Sequence, residues 1–423
     1  MCSQLVLLAL LPLIFAAGPR PKVLLVSMDG FRYDYLKKTE TPNFDRLVSQ
    51  GVTMPFMNNS FVTSTFPCHY TMATGLYSEV HGIVANRMYD PEFNSFFGQS
   101  NKESRWWEGG EPIWITAKKA GLKTGVYFWP GSESPIHGEM ADRWMPYNSS
   151  VPFEERVEAV VSWMARDDYD LTLVYFSEPD ESGHRHGPES PAMVPVIQRM
   201  DAIVGLIVQK LNDTGLEDKV NVIITSDHGM TAVDLKNRII DLSHYLNDSL
   251  LQFVVDEGAS SHILPKPGKN SQLVAALSGV PHMRVMLKEN IPDRFHLKHN
   301  RRVMPVFAYA DEGWTISANA TKRQSEVYNG GHGYDNELPH MKPIFIAKGP
   351  AFRSNQTVEP IQSVDIYPLI CHILKINPSP NNGSLDRASR LLNLETKRSS
   401  SNDMALTVAQ STVFILSFLA YIF

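Results

Sequence analysis

Three short, nearly continuous apolar runs, Val23–Met28, Leu171–Phe176 and Val220–Thr225, read as strands buried on both faces. Phe153–Arg166 and Met193–Leu211 instead place apolar residues at mixed three- and four-residue spacing, the period of a helix with one buried stripe, and Asp213–Gly215 supplies a stop. A fourth buried run, Pro343–Ala347, comes much later. Strands alternating with helices predict an α/β fold: a mostly parallel sheet with helices on both faces. Between Asp234 and about Glu326 the pattern is less regular, broken at Pro265–Gly268, Pro281 and Pro292. This stretch (234–326) predicts a smaller inserted α+β lobe.

Two terminal segments stand apart. Leu5–Ala17 is an apolar run followed by small residues, read as a secretory signal peptide over 1–18 rather than a buried first helix, although Met1–Gln4 lacks a positive charge. Met404–Phe423 is uncharged and, at about 1.5 Å per residue, just long enough to cross a bilayer. The small, polar stretch Ser399–Asp403 before it fits a lipid-anchor attachment signal, favoured over a transmembrane helix because no basic residue follows the run. Residues 399–423 therefore read as stalk and anchor, and both readings place the protein at the extracellular face of the plasma membrane. Seven Asn-x-Ser/Thr triplets, at Asn58, Asn148, Asn212, Asn247, Asn319, Asn355 and Asn382, agree with export.

Composition narrows the classes. The chain has 423 residues, 43% of them hydrophobic, which excludes a disordered or fibrous protein. A net charge of −6 argues against a nucleic-acid binder, which would need a basic face. Three cysteines, Cys2, Cys68 and Cys371, are too few for a disulfide scaffold, although Cys68 and Cys371 could form one bridge.

The chemistry follows the strands. Val23–Met28 leads into Asp29, Leu171–Phe176 into Glu178, Asp180 and His184, and Val220–Thr225 into Asp227 and His228. Ligands of open parallel sheets bind outside the carboxyl ends of the strands, so these groups should converge on one edge. The glycine-rich Gly330-Gly331-His332-Gly333 can bring His332 to the same place. Carboxylates with neutral imidazoles are a zinc ligand set. Any single Asp after a strand is more often a turn or helix cap, but three strand ends repeating the same chemistry reverse those odds. Pro67 suits the first turn of a helix running to about Thr74 and stopping at Gly75, which places Thr65 just before the helix. Free N–H groups there favour an anion such as phosphate. Spacing alone would make Thr65 a helix cap; as a nucleophile it needs activation by a metal. Cys68 lies inside the predicted helix, which disfavours a thiol nucleophile.

Six motifs recur in order: Asp29-Gly30-Phe31-Arg32; Thr65-Phe66-Pro67 with His69-Tyr70; His81-Gly82-Ile83 with Asn86 and Met88-Tyr89-Asp90; Glu178-Pro179-Asp180 with Gly183-His184; Ser226-Asp227-His228-Gly229-Met230; and His332-Gly333-Tyr334-Asp335. Together they resemble the ectonucleotide pyrophosphatase/phosphodiesterase family, in its short single-domain form, on the alkaline-phosphatase-like fold. The resemblance runs from Lys22 to about Leu392 and makes 19–398 the expected catalytic domain, a monomer as far as the chain shows. It implies a two-zinc phosphodiesterase in which Asp29, Thr65, Asp227 and His228 hold one ion and Asp180, His184 and His332 the other. Thr65 is the implied nucleophile, through a phosphothreonine intermediate, and Asn86 the implied donor to the phosphoryl oxygens.

Substrate choice divides two branches. Phe66 and Tyr175 match aromatic positions that sandwich a nucleobase in nucleotide-cleaving relatives, yet aromatics also enclose a choline head group. Ser64 in place of a lysine, Cys68 in place of an asparagine, and Gly183-His184-Arg185-x-Gly187-Pro188-Glu189-Ser190 resemble the alkaline-sphingomyelinase-like branch. His81–Asn86, Trp129-Pro130-Gly131 and Asp311-Glu312-Gly313-Trp314 resemble the short nucleotide-type branch. The expectation leans to a choline phospholipid such as sphingomyelin or lysophosphatidylcholine, with ATP or dinucleoside polyphosphates as the alternative. A sulfatase is disfavoured because no arginine follows Pro67 and Cys68. A monoesterase would need more positive groups than Arg32 and Arg87 offer. A catalytically silent surface-binding protein would show broken ligand sets, and these are intact.

Overall fold

The computed structural model describes residues 20–393. The leader expected at 1–18 and the anchor expected at 399–423 lie outside these residues. Among the described residues no helix is long and apolar enough to cross a membrane.

The main sheet has eight strands: β1 (Lys22–Met28), β2 (Val52–Thr53), β3 (Thr124–Tyr127), β4 (Arg143–Met145), β5 (Leu171–Phe176), β6 (Val220–Thr225), β7 (Phe345–Lys348) and β8 (Gln356–Thr357). Their spatial order is β8-β2-β7-β6-β1-β5-β3-β4. β1 is central and pairs in parallel with β5 and β6, Val26 lying opposite Val174 on one side and Ile224 on the other. Alternation along β1 divides its side chains between two cores. Val23 and Leu25 face one, and Leu24, Val26 and Met28 the other.

Each face of the sheet is covered by helices. Helices α1 (Pro42–Gln50), α3 (Phe153–Arg166) and α4 (Met193–Asp213) close one core through Phe44, Leu47, Val157, Val160, Ile197 and Val204. Helices α2 (Thr65–Thr74) and α5 (Ile366–Leu374) close the other through Tyr70, Met72, Leu369 and Ile370. The late apolar run is a strand, but it begins at Phe345 rather than Pro343 and pairs antiparallel with β6. Pro343 has no N–H for the ladder and lies outside the strand, in an isolated bridge with Arg32 and accepting from the Met57 N–H at 2.9 Å.

Between β6 and β7 the chain builds a second, antiparallel sheet in the order Leu251–Val255, Ser260–Pro265, Val306–Ala310, Met283–Leu287. With helix Asn270–Leu277 it encloses its own core around Ile263, Leu273, Leu277 and Val306. Buried Arg302 ties this region to the main body. It donates from Nε to Asp90 Oδ2 at 2.8 Å and from Nη1 to the carbonyls of Gly82 (2.7 Å) and Trp106 (2.9 Å). The segment it clamps, Gly82 to Asp90, carries Asn86. Cys68 and Cys371 are both buried and unpaired. Burial pushes the Cys68 thiol far above its ordinary value, and the thiol lies against the carbonyl of Val62, so it is no nucleophile.

Two buried imidazoles tie stability to pH. His81 Nδ1 accepts from the Ile83 N–H at 3.1 Å; burial, then the nearby Arg302 charge, hold it down to about 3. His262 has no hydrogen-bond partner on either ring nitrogen, and burial, then the Lys288 charge, hold it down to about 4. The unfolded chain protonates both near their ordinary value of 6.5 while the folded one does not, so their contribution is complete above that pH and is lost as pH falls. Against His262→Leu as reference, the wild type should lose about 1.4 kcal/mol of relative stability per pH unit between roughly 6.5 and 4. Urea midpoints across that range measure it; a constant difference between the two proteins would contradict it.

Candidate active site

The carboxyl ends of β5, β1 and β6, neighbours in the sheet, deliver Ser177–Asp180, Asp29 and Asp227–His228 to one edge. Gly30, at φ 66°, lets the next layer close. A Cβ there would meet the Asp180 side chain at 2.9 Å, so only glycine allows Asp180 to sit against Asp29. His184 lies one turn beyond Asp180 in the short helix Asp180–His186, its Nε2 3.2 Å from Asp180 Oδ2. His332 arrives on the segment after Gly330, whose Cβ would strike the carbonyl of Gly183 at 2.3 Å. Its Nε2 is 3.7 Å from Asp180 Oδ1. Beneath them His228 Nε2 lies 3.4 Å from Asp29 Oδ1 and 3.1 Å from Asp227 Oδ2. Thr65 Oγ1 is 3.5 Å from the same nitrogen. All seven side chains expected to hold metal thus meet at one place.

The helix at Thr65 starts earlier than its proline suggests. Thr65 is the first residue of α2, Ser64 is the N-cap in extended conformation, and Pro67 sits in the third position, where a missing N–H costs little. Thr65 is therefore not a cap, and its hydroxyl is left to the site. The N–H of Phe66 donates to Asn86 Oδ1 at 2.9 Å. That bond fixes the amide orientation and leaves the Asn86 NH₂ as the free donor in the cavity.

The imidazoles are set by backbone carbonyls. Nδ1 of His184 lies 2.8 Å from the Gly330 oxygen, Nδ1 of His228 2.9 Å from that of Gly229, and Nδ1 of His332 2.9 Å from that of Thr63. A carbonyl only accepts, so each Nδ1 carries the proton and each Nε2 presents a lone pair to the cluster. His69, which spacing alone did not single out, follows a different rule. Its Nδ1 donates to the Thr65 carbonyl at 2.7 Å and sits 3.3 Å from Asp227 Oδ2, while Nε2 accepts from Ser27 Oγ at 2.8 Å. With both nitrogens committed, His69 positions Asp227 and the Thr65 backbone and has no lone pair left for a metal. The i, i+4 spacing from Thr65 on α2 was the available signal. Tyr175 also does more than line a wall: its hydroxyl donates to Asp29 Oδ2 at 2.6 Å.

The three carboxylates are crowded. Burial, then the charges of Asp227 and Asp180, hold Asp29 well above the ordinary carboxylate range. Burial works the same way on Asp180 and Asp227, but it is outweighed: His184 brings Asp180 down to about 2, and His228 with His69 hold Asp227 below its ordinary range. Burial, then His228, hold His332 down to about 3, so it stays neutral. One oxygen of each carboxylate, Asp29 Oδ1, Asp180 Oδ1 and Asp227 Oδ2, is buried with no hydrogen-bond partner. Two of the groups of side chains close enough to share an ion are Asp180–His184–His332 and Asp29–Asp180–His228. Orphaned carboxylate oxygens facing imidazole Nε2 atoms fit a divalent metal.

A cavity of about 360 Å³ opens over this floor. Thr65, Asn86, Asp29, Asp180, His184 and His332 line its base, whereas Asp227 and His228 lie beneath it. Its sides are Phe66, Trp107, Phe128, Trp129, Tyr147 and Tyr175. At the margin Lys102 Nζ and Glu133 Oε1 pair at 2.5 Å. Arg32, by contrast, is buried and tied to Asp34, Glu189 and the Met230 carbonyl, a structural role.

Residues 23–335 match the family described as Type I phosphodiesterase / nucleotide pyrophosphatase. The chain belongs to that family. It is 43% identical over 399 residues to human ectonucleotide pyrophosphatase/phosphodiesterase family member 5, covering 93% of this chain and 81% of the relative. It is 45% identical over 377 residues to the mouse bis(5'-adenosyl)-triphosphatase enpp4, covering 88% and 81%. Human family member 7 is 37% identical over 393 residues, covering 90% and 85%. Among solved structures, an inactive threonine-to-alanine variant of murine family member 5 in complex with AMP superposes with a TM-score of 0.85. It is 44% identical and covers 88% of this chain and all of that one. The chain is accordingly a hydrolase of phosphodiester bonds on the α/β alkaline-phosphatase-like fold.

Tyr175→Phe keeps the ring and removes the bond to Asp29. Divalent-metal affinity, read by calorimetric titration of the stripped protein, should fall about tenfold or more; unchanged affinity would show that the hydroxyl does not position Asp29.

Proposed function

We propose that this protein is an extracellular, zinc-dependent nucleotide pyrophosphatase/phosphodiesterase that releases a nucleoside monophosphate. The observation that carries the reading is the continuity of one cavity, from Thr65 and the orphaned carboxylate oxygens at its base to the aromatic walls and the Lys102–Glu133 pair at its margin. Flat aromatic faces suit a nucleobase, and a donor beside an acceptor suits its polar edge. A choline head group has no hydrogen-bonding edge with which to use that pair. The AMP bound to the murine relative and the dinucleoside triphosphatase named among the mouse relatives support the same choice over the choline phospholipid favoured by sequence.

Asp29, Asp227, His228 and Thr65 would hold one zinc, and Asp180, His184 and His332 the other. When bound, the two ions supply Lewis-acid stabilisation of the attacking and leaving oxygens and lower the pKa of the threonine hydroxyl. Thr65 Oγ1, its proton released to water, forms the new bond to phosphorus, and the bond from phosphorus to the leaving phosphate oxygen breaks, that oxygen keeping the electron pair. The product is a phosphothreonine, which water then hydrolyses. The Asn86 NH₂, aimed by its bond to the Phe66 N–H, donates to the phosphoryl oxygens as charge builds on them. Six of the seven glycosylation acceptors are exposed and Asn58 is partly buried, in keeping with a secreted, glycosylated chain.

Thr65→Ala should lower turnover by more than about a thousandfold with no loss of thermal stability; substantial residual hydrolysis would sink the nucleophile. A side-by-side assay of diadenosine triphosphate, ATP, sphingomyelin and lysophosphatidylcholine tests the substrate class. The highest kcat/KM should fall on a nucleotide, and preference for either lipid would overturn the assignment.

A further inference from the structure

The active-site cavity continues away from its aromatic walls. Asn86, His184 and His332 also line a smaller cavity of about 160 Å³, together with Ser64, Tyr328 and Gly333. Asp256 and Glu257 belong both to that passage and to a third cavity of about 400 Å³ beyond it, bounded by Phe96, Val254, Arg87 and Arg323. The third cavity lies within the range of small-ligand sites.

Its walls carry unspent recognition groups. Phe96 is 56% exposed, an unusual position for a phenylalanine, with Tyr89 at 5.0 Å and Phe253 at 5.2 Å bracing its ring. Glu257 is committed to Ser317 Oγ (2.7 Å) and the Ala318 N–H (3.1 Å), and Glu326 to Arg323 (2.6 Å). Asp256, held at φ 58°, makes no hydrogen bond or ion pair among the described residues, so both of its oxygens are open to a ligand. Burial pushes its carboxyl up to about 7 against the pull of Arg87 and Arg323, which lessens its repulsion of a polyanion.

We propose that the third cavity seats the nucleoside of the leaving group when the substrate is a dinucleoside polyphosphate, its base against Phe96 and its ribose or amino donors on Asp256. This rests on the nucleotide reading above. The first nucleoside occupies the aromatic cavity, Thr65 attacks the phosphorus attached to it, and the departing nucleoside polyphosphate, carrying the bond's electron pair on its terminal oxygen, spans the smaller passage.

Two substrates sharing one half test it: diadenosine triphosphate and the p-nitrophenyl ester of AMP, whose leaving group is too short to reach Phe96. The ratio of their kcat/KM values, dinucleoside over ester, should fall about tenfold in Phe96→Ala, the loss of one base stack, and fall also in Asp256→Asn, a substitution that tolerates the left-handed backbone. An unchanged ratio in both variants would overturn the proposal. Wild-type cleavage of the ester but not the dinucleoside would overturn it and leave the nucleotide reading standing, whereas cleavage of neither would remove both. Asn319, a glycosylation acceptor, stands on the rim; a ratio that rises tenfold in Asn319→Gln would assign the cavity to a glycan instead.

Discussion

Three carboxylates, Asp29, Asp180 and Asp227, are driven together at the ends of three adjacent parallel strands, each with one buried oxygen that no hydrogen bond among the described residues satisfies. Burying unpaired charge is among the costliest things a fold does. Two hydrophobic cores, one on each face of the sheet, hold β5, β1 and β6 in register and force that crowding. The site is thus a fixed deficit of positive charge, which Asp29 reports by holding its proton far more tightly than a free carboxylate. Divalent cations bound between these oxygens and three imidazole nitrogens would close the deficit.

Around that centre the backbone does most of the positioning. Three carbonyls choose the histidine tautomers, the Phe66 N–H chooses the Asn86 rotamer, and His69 braces Asp227 against the start of α2. None of these groups needs to touch substrate. On the proposed function, their value is that the metal-binding atoms and the Asn86 NH₂ would be aimed before substrate arrives, so that little reorganisation would accompany charge build-up. Arg302 extends the support outward: it clamps the Gly82–Asp90 segment that carries Asn86 to the second sheet, coupling that sheet to the phosphoryl site.

The parts legible in the chain were those with a pattern. Runs such as Leu171–Phe176 announce strands buried on both faces, and the acidic residues after them announce an edge. An apolar run has no direction, so the antiparallel sense of β7 was not readable, and its start was misplaced because Pro343 is apolar yet cannot join a ladder. The start of α2 was placed one residue late, and Thr65 read as lying just before it, because proline is tolerated anywhere in the first turn and so does not mark its first residue. The cavity walls at Lys102, Trp107, Phe128, Glu133 and Tyr147 come from irregular segments without periodicity, so the feature on which the proposed nucleotide reading rests emerged only in three dimensions. The pairing of Ser27 with His69 and of Tyr175 with Asp29 was hidden likewise, since each joins residues far apart in sequence.

Everything rests on the carboxylate cluster being a metal centre, and elemental analysis of the natively purified protein addresses that directly. Two zinc ions per chain are expected in the wild type, with at least one lost in Asp180→Asn, which keeps the side-chain shape and removes one charge. A wild-type protein that hydrolyses its substrate at full rate without stoichiometric metal would contradict it.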